Sequence, residues 1–409
     1  MKSNKKIVLF CEKISEWSLY IMIIVLPFSK TMLEITIIIS IVSIVLKKIL
    51  NSEKIISDKN IANIFLAIFI MASLVSLFNS PYLLLSVKSF FTKILKFAAL
   101  FLAAKEIINT RVKLSNFAIM AVISCIVILI DGFLQYFFLG IDVLHSYPAF
   151  GVSWDNQKLV GVPTASFPFP NDFAAWILIF IFPMGSFFAF GGLDKIRKFL
   201  MAFIFSGLLY FLIITKVRGA WASFICGLSF LFFLKPKTIG IILLIVILFA
   251  GGLVCKQAMP HIKSMTSVHL RESMWGVGVE IFKKHPVIGN GVNTFFNRFK
   301  EERQDDMRGK KGSYAHNCYL QMACDTGLFG LLSFIAFSIA VIATGCRIVK
   351  EHANDLFLYP FALGITVGLI AYLAHSAVDT NLYSLPLAAL FWLSAGVLFA
   401  IDNLSKTNL

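Results

Sequence analysis

FAIMAVISCIVILIDGFLQYFFL, residues 117–139, is a run of 23 residues carrying one charged side chain, Asp131. A helix of roughly 20 apolar residues crosses a hydrocarbon layer of about 30 Å, so this stretch commits the chain to a membrane. Its apolar residues are continuous and do not alternate, which excludes a closed barrel, and only a helix then satisfies every backbone amide in lipid. Similar runs recur on both sides. The spans expected are 17–29, 31–46, 61–78, 84–104, 117–139, 173–190, 199–215, 219–234, 238–254, 318–345, 356–378 and 384–401, about twelve in all. The fold class is therefore an all-α polytopic membrane protein. Composition agrees: 58% of the 409 residues are hydrophobic, 14% are charged, and the mean hydropathy is +0.83, so a soluble core of this size is ruled out.

A net charge of +15 suits nucleic acid at first sight, but the basic residues lie mostly in short loops between spans, where they report topology instead. Lys47, Lys48, Lys54 and Lys59 mark one side of the membrane, followed by Lys105, Arg111 and Lys113, then Lys195, Arg197 and Lys198, then Lys235 and Lys237, then Arg347 and Lys350. They alternate with poorly charged loops at 79–83, 140–172 and 379–383. Basic loops stay cytoplasmic, so both termini are expected in the cytoplasm and membrane lipid is the surrounding partner. Met1 to Lys6 is basic like a signal peptide, but Glu12, Lys13 and Glu16 follow and no small-residue cleavage site is clear, so the segment is expected to be retained. Three regions result: residues 1–255, with spans one to nine and an outer loop at about 140–172; residues 256–316, a large outer loop before the tenth span; and residues 317–409, the last three spans. There is no internal repeat, which weighs against a transporter built from duplicated halves. The seven cysteines form no CxxC pair and read as small buried hydrophobes.

Polar residues at span ends carry the chemistry. Arg218 lies in Thr215-Lys216-Val217-Arg218-Gly219-Ala220, at the outer end of a short turn between two spans. An arginine at that depth either snorkels to the interface or meets a phosphate or carboxylate that suits its planar fork. In the large loop, Arg271 and Trp275 stand four apart and share a helical face; this helix is expected to run through Phe282 and stop before Pro286. The pair reads equally as a surface ion-pairing arginine or as a diphosphate clamp. Gly289-Asn290-Gly291 then makes a turn. His316 falls where the loop becomes the tenth span, able to exchange protons near neutral pH at a lipid–water boundary. That span carries Gly327 and Gly330, small positions that permit close helix packing.

His316-Asn317, nine residues, then Gly327-x-x-Gly330 resembles the signature of the O-antigen ligase family, bacterial enzymes that join O-antigen to the lipid A core. Arg218-Gly219-Ala220, Arg271 with Trp275, His285-Pro286-x-x-Gly289-x-Gly291 and Pro170-Asn171-Asp172 support the likeness, as do the span count and the large outer loop, so it covers nearly the whole chain. O-antigen polymerases and protein O-oligosaccharyltransferases share these motifs, which leaves the acceptor open. The resemblance implies a GT-C-like membrane fold and an inverting, metal-independent glycosyltransferase in the bacterial inner membrane, with a periplasmic active site. The implied donor is an O-antigen glycan on undecaprenyl diphosphate and the implied acceptor is lipid A core, with no cofactor and no nucleic acid.

Physical grounds agree. A departing diphosphate gathers negative charge, which a metal or fixed cations must stabilise. The nearest carboxylate pair, Asp305-Asp306, sits among Arg303, Arg308, Lys310 and Lys311 and reads as a solvated charge cluster, so no metal site is expected. Arg218 and Arg271 are then expected to hold the diphosphate, and His316 to take a proton from the acceptor hydroxyl or orient it. Asn317, Lys88 and Asp379 are expected to help bind substrate. Asp379, four residues after His375, could orient Arg271 or His316, or the two could form an ordinary polar pair at a helix end. Lys93 and Lys96 lie deeper, facing the bundle interior. Asp131 and Gln135 are expected to pair with each other, and Asn171 and Asp172 to cap the following helix. A lipid-linked sugar transporter would also want outward arginines but needs a path to both faces, whereas these groups gather at one.

Overall fold

The computed structural model describes residues 2–54, 60–155, 158–234, 266–303 and 314–407. The expected span 238–254, Lys59, Lys235, Lys237 and the Asp305-Asp306 cluster lie outside them. Elsewhere each expected span is a helix: α1 (Lys2–Val25), α2 (Lys30–Leu50), α3 (Ile61–Val75), α4 (Leu83–Ser89) continuing through a π-helical turn into α5 (Lys96–Ile107), α6 (Arg111–Leu134), α7 (Pro170–Phe190), α8 (Lys195–Ile214), α9 (Arg218–Leu234), α12 (Cys318–Glu351), α13 (Leu358–His375) and α14 (Leu385–Thr407). Between α9 and α12 lie α10 (Thr266–Lys284) and α11 (Phe295–Glu302). Seven of the described helices are long and apolar enough to cross a membrane: Ile61–Asn79, Arg111–Leu139, Pro170–Phe190, Lys195–Ile214, Cys318–Glu351, Leu358–His375 and Leu385–Leu404. Of the other four, α1, α2 and the α4–α5 rod carry several charged residues, and α9 is described over 17 residues.

α14 is the most buried of the described spans, and α7 and α13 come next. α7 and α13 approach backbone to backbone: a side-chain carbon on Gly364 would lie 2.3 Å from Pro183 Cα, so this crossing admits only glycine. Next to them α5, α12 and α14 meet in an aromatic cluster, with Phe101 edge-on to Phe337, Trp392 and Phe399. The two deeper lysines, Lys93 and Lys96, have protein partners, since an unpaired charge there is expensive. Lys96 reaches Glu34 at 2.6 Å and Lys93 donates to Asn293 Oδ1 at 2.8 Å. The bundle's two ends differ. At one, basic residues are knitted to acidic ones: Lys48–Glu106 at 2.8 Å, Lys113–Glu12 at 2.6 Å, a two-pronged Arg111–Asp355 pair with both bonds at 2.8 Å, and Arg347–Asp402 at 2.7 Å.

The opposite end is built from loops. Residues 140–169 contain a two-stranded antiparallel hairpin, β1 (Phe150–Asp155) with β2 (Lys158–Val162), which hydropathy alone did not indicate. Asp131 and Gln135 serve this loop and do not pair with each other. Asp131 accepts from Val143 N at 2.9 Å and Ser166 Oγ at 2.6 Å, while Gln135 Oε1 accepts from the amides of Thr164 and Ala165, both at 2.9 Å. The reason is accounting: a loop folded into the mouth of the bundle brings amides that must find acceptors. α10 stops at Lys284 as the proline predicts, and Ile281, Phe295, Phe299, Ala315 and Cys324 form a small second core that seats α10 and α11 on α12.

α12 is not one continuous helix. Gly327 has φ 69° and ψ −176°, so the helix breaks there. Residues 286–291 pack into the break. Asn290 N and Gly291 N donate to the carbonyls of Cys324 and Asp325 before it, both at 2.9 Å, while Leu328 N and Phe329 N after it donate to Pro286 O and Val287 O at 2.8 and 3.2 Å. Four backbone groups orphaned by the break are thus satisfied inside the protein, the condition for irregular backbone at such depth.

Candidate functional site

A cleft of about 890 Å³ opens at the loop-built end. Four helices begin at its walls: α2 at Lys30, α7 at Pro170, α9 at Arg218 and α14 at Leu385. Alternating helices put every other N-terminus at this end, so the positive ends of their dipoles converge there and favour an anion.

Arg218 is the first residue of α9. The turn before it is tight: Lys216 takes φ 56°, and Trp221 reaches back to donate from Nε1 to Leu212 O at 2.8 Å, binding the two helices across the turn. Gly219 lets α9 drop onto the far wall, since a side-chain carbon there would lie 2.8 Å from Val378 Cγ2. Arg271 approaches from α10. Trp275, one turn on, donates from Nε1 to Ala315 O at 2.9 Å, so the residue that shares a face with Arg271 also fixes the segment leading to His316. Among the described residues neither Arg218 nor Arg271 forms a salt bridge.

His316 has φ 47°, a left-handed turn that swings the chain from loop into α12. Asn317 then caps the helix, its Oδ1 accepting from the amides of Tyr319 and Leu320, both at 3.0 Å. His316 Nδ1 lies 3.3 Å from Asp379 Oδ1, and His375 Nε2 lies 3.5 Å from Oδ2 of the same carboxylate. The loop bearing Asp379 is pinned to the start of α12: Cys318 N donates to Ser376 O at 2.8 Å, and Cys318 Sγ to Asp379 O at 3.1 Å. Burial would push the Asp379 carboxyl up, but the two imidazoles beside it outweigh that and hold it far below the usual carboxylate range. An ionised Asp379 favours the proton of His316 on Nδ1, which makes Nε2 the basic nitrogen. Its side chain is 7% exposed, against 32% for His316, so the carboxylate is the inner member of the pair.

The cleft therefore brings Arg218, Arg271, His316 and Asp379 to one place, and leaves Lys88 and Asn317 outside its lining. Asn317 is occupied by its helix cap. Asn171 and Asp172 do not cap α7, whose N-cap is Phe169 with no side-chain bond; they line the cleft instead. In sequence the two roles look alike, a short polar pair before an apolar run. Lys30, Lys216 and Tyr383 also line it. The signal for the lysines was present: each is a basic residue at a span end on the otherwise poorly charged side. Among the described residues no three His, Cys, Asp or Glu side chains converge as metal ligands; the lining offers an anion guanidinium, ammonium and helix amides.

Residues 200–335, the stretch from α8 to the middle of α12, match the O-antigen ligase family model. Arg218, Arg271, His316 and the Gly327-x-x-Gly330 break fall inside it, whereas His375 and Asp379 lie beyond its end. No curated protein matches the chain.

Proposed function

We propose that this chain, a multi-pass membrane protein whose residues 200–335 match the O-antigen ligase family model, is an inverting, metal-independent glycosyltransferase. It moves an O-antigen glycan from undecaprenyl diphosphate to the lipid A core oligosaccharide at the periplasmic face of the bacterial inner membrane. One observation carries the reading: a single cleft is lined by two arginines that form no salt bridge among the described residues and by a histidine whose inner nitrogen faces a buried carboxylate. The site uses no cofactor, and fixed guanidinium groups supply the positive charge.

His316 Nε2 takes the proton of the acceptor hydroxyl as its oxygen attacks the anomeric carbon. Asp379 steadies the imidazolium that forms. The bond from the anomeric carbon to the phosphate oxygen breaks on the opposite face, and undecaprenyl diphosphate leaves with the electron pair. Arg218 and Arg271 bind that growing charge most tightly in the transition state, where it lowers the barrier. One displacement inverts the anomeric centre. The knitted basic residues at the far end support a cytoplasmic assignment for that end and for both termini, and hence a periplasmic cleft.

The test is reconstitution with a defined undecaprenyl-diphosphate glycan and three acceptors. The expected product is glycan on lipid A core, lost on His316→Ala in a protein that still inserts and folds. Longer lipid-linked chains would make the enzyme a polymerase, labelled protein a protein oligosaccharyltransferase, and donor moved across the bilayer without transfer a transporter.

A further inference from the structure

His375 ends α13 at the floor of the cleft, is 1% exposed, and has no hydrogen-bond partner on either ring nitrogen among the described residues. Burying an imidazole in that condition is unfavourable, and an apolar side chain would fill the same space without the penalty. What it touches is informative. Its Nε2 lies 3.5 Å from Asp379 Oδ2, while His316 takes the other oxygen of that carboxylate at 3.3 Å. Its Nδ1 faces the first turn of α9, 3.5 Å from where a side-chain carbon on Gly219 would stand. His375 is thus wedged between the carboxylate that orients the proposed base and the turn that carries Arg218.

Asp379 has competing partners. The cleft it lines also holds Arg218, Arg271, Lys30 and Lys216, and a guanidinium binds a carboxylate more strongly than a neutral imidazole does. A carboxylate swung toward either arginine would do double damage, since His316 would lose its orienting partner and the arginine its charge for the diphosphate.

We propose that His375 is a positioning residue that prevents this: its Nε2–H holds Asp379 Oδ2 from the buried side, so that Oδ1 stays on His316 and both arginines stay turned toward the diphosphate. The inference rests on the reading of the cleft as a glycosyl-transfer site. At 3.5 Å the contact is longer than a formed hydrogen bond, and catalytic hydrogen bonds commonly tighten when substrate fills the site. The buried side offers the carboxylate a donor with no escape to solvent.

The full-length protein in lipid nanodiscs, with undecaprenyl-diphosphate glycan as donor and lipid A core as acceptor, tests it. His375→Ala is expected to lower kcat by about 100-fold, with the donor KM changed by less than about threefold. His375→Gln, whose amide donor stands near the ring Nε2–H, is expected to recover most of that loss. Adding His375→Ala to Asp379→Asn is expected to cost nothing further, because the two act through one contact. His375→Leu keeps the bulk of the ring without its donor and gives the same reading where the alanine variant does not fold. Wild-type kcat in the alanine or leucine variant, a glutamine variant no better than them, or losses that multiply in the double variant would each overturn the proposal. A wild-type protein with no transfer would overturn the function proposed above, and a second measurement then still decides this one. Electron cryomicroscopy maps of wild type and His375→Leu should show Asp379 displaced from His316 toward an arginine in the variant; an unmoved carboxylate sinks the idea whatever the activity.

Discussion

Asp379 is the residue on which the geometry of the cleft turns. Its carboxyl lies below its unfolded value of about 3.9, so its contribution to stability is fully present above that value and is lost only as pH falls through the depressed folded value. Between pH 8 and pH 5 the carboxylate therefore stays charged. The gap in thermal midpoint between wild type and Asp379→Asn should not shrink across that range; a gap that closes by pH 5 would mean Asp379 takes up a proton there. Arg218→Lys makes a second test. It keeps the charge and loses the fork, and should cost about 100-fold in kcat if both oxygens of a phosphate are gripped, whereas full activity would reduce Arg218 to a point charge. Arg218 and His316 stood out in the sequence because an ionisable side chain at a span end is costly and needs a reason, and Arg271 through the helical face it shares with Trp275 and the family resemblance. Asn171 and Asp172 were not, since a polar pair ahead of an apolar run looks the same whether it caps a helix or faces a cleft.

At the scale of elements, the informative one is α12. Its Gly327-x-x-Gly330 pattern reads in sequence as a small-residue face for a neighbouring helix, but Gly327 breaks its own helix and admits residues 286–291. A side-chain carbon at Gly327 would lie 2.1 Å from Val287 O, on a residue with φ 69°. Gly327→Ala should therefore lower stability by at least about 2 kcal/mol, seen as a lower thermal midpoint and loss of monodisperse protein. Gly276→Ala, in α10 where nothing lies within 4 Å of the added carbon, should leave both unchanged. The two glycine motifs were visible as separate strings; that one exists to fill the gap made by the other depends on a contact between residues some forty positions apart, which periodicity does not report.

Across the whole molecule the two ends of the bundle differ: at one the basic residues are tied to acidic residues of neighbouring helices, and the cleft opens at the other. Impermeant maleimide should label a cysteine placed at His145 in intact spheroplasts and one placed at Lys195 only after permeabilisation, in a background lacking the native cysteines; the reverse pattern would turn the proposed orientation over. The arrangement of spans was readable because hydropathy and basic loops obey solvent physics residue by residue. How the span ends approach one another was not, because it follows from tertiary packing such as that of Gly364 on Pro183. The cleft draws Lys30 from the second helix and Ser384 from the turn before the last, with α7, α9, α10, the hairpin, the segment leading into α12 and the loop that carries Asp379 between them. Any molecule lodged there rivets the first and final quarters of the polypeptide together, so the cargo of this site doubles as its fastening, and an occupied protein should resist heat across its full length.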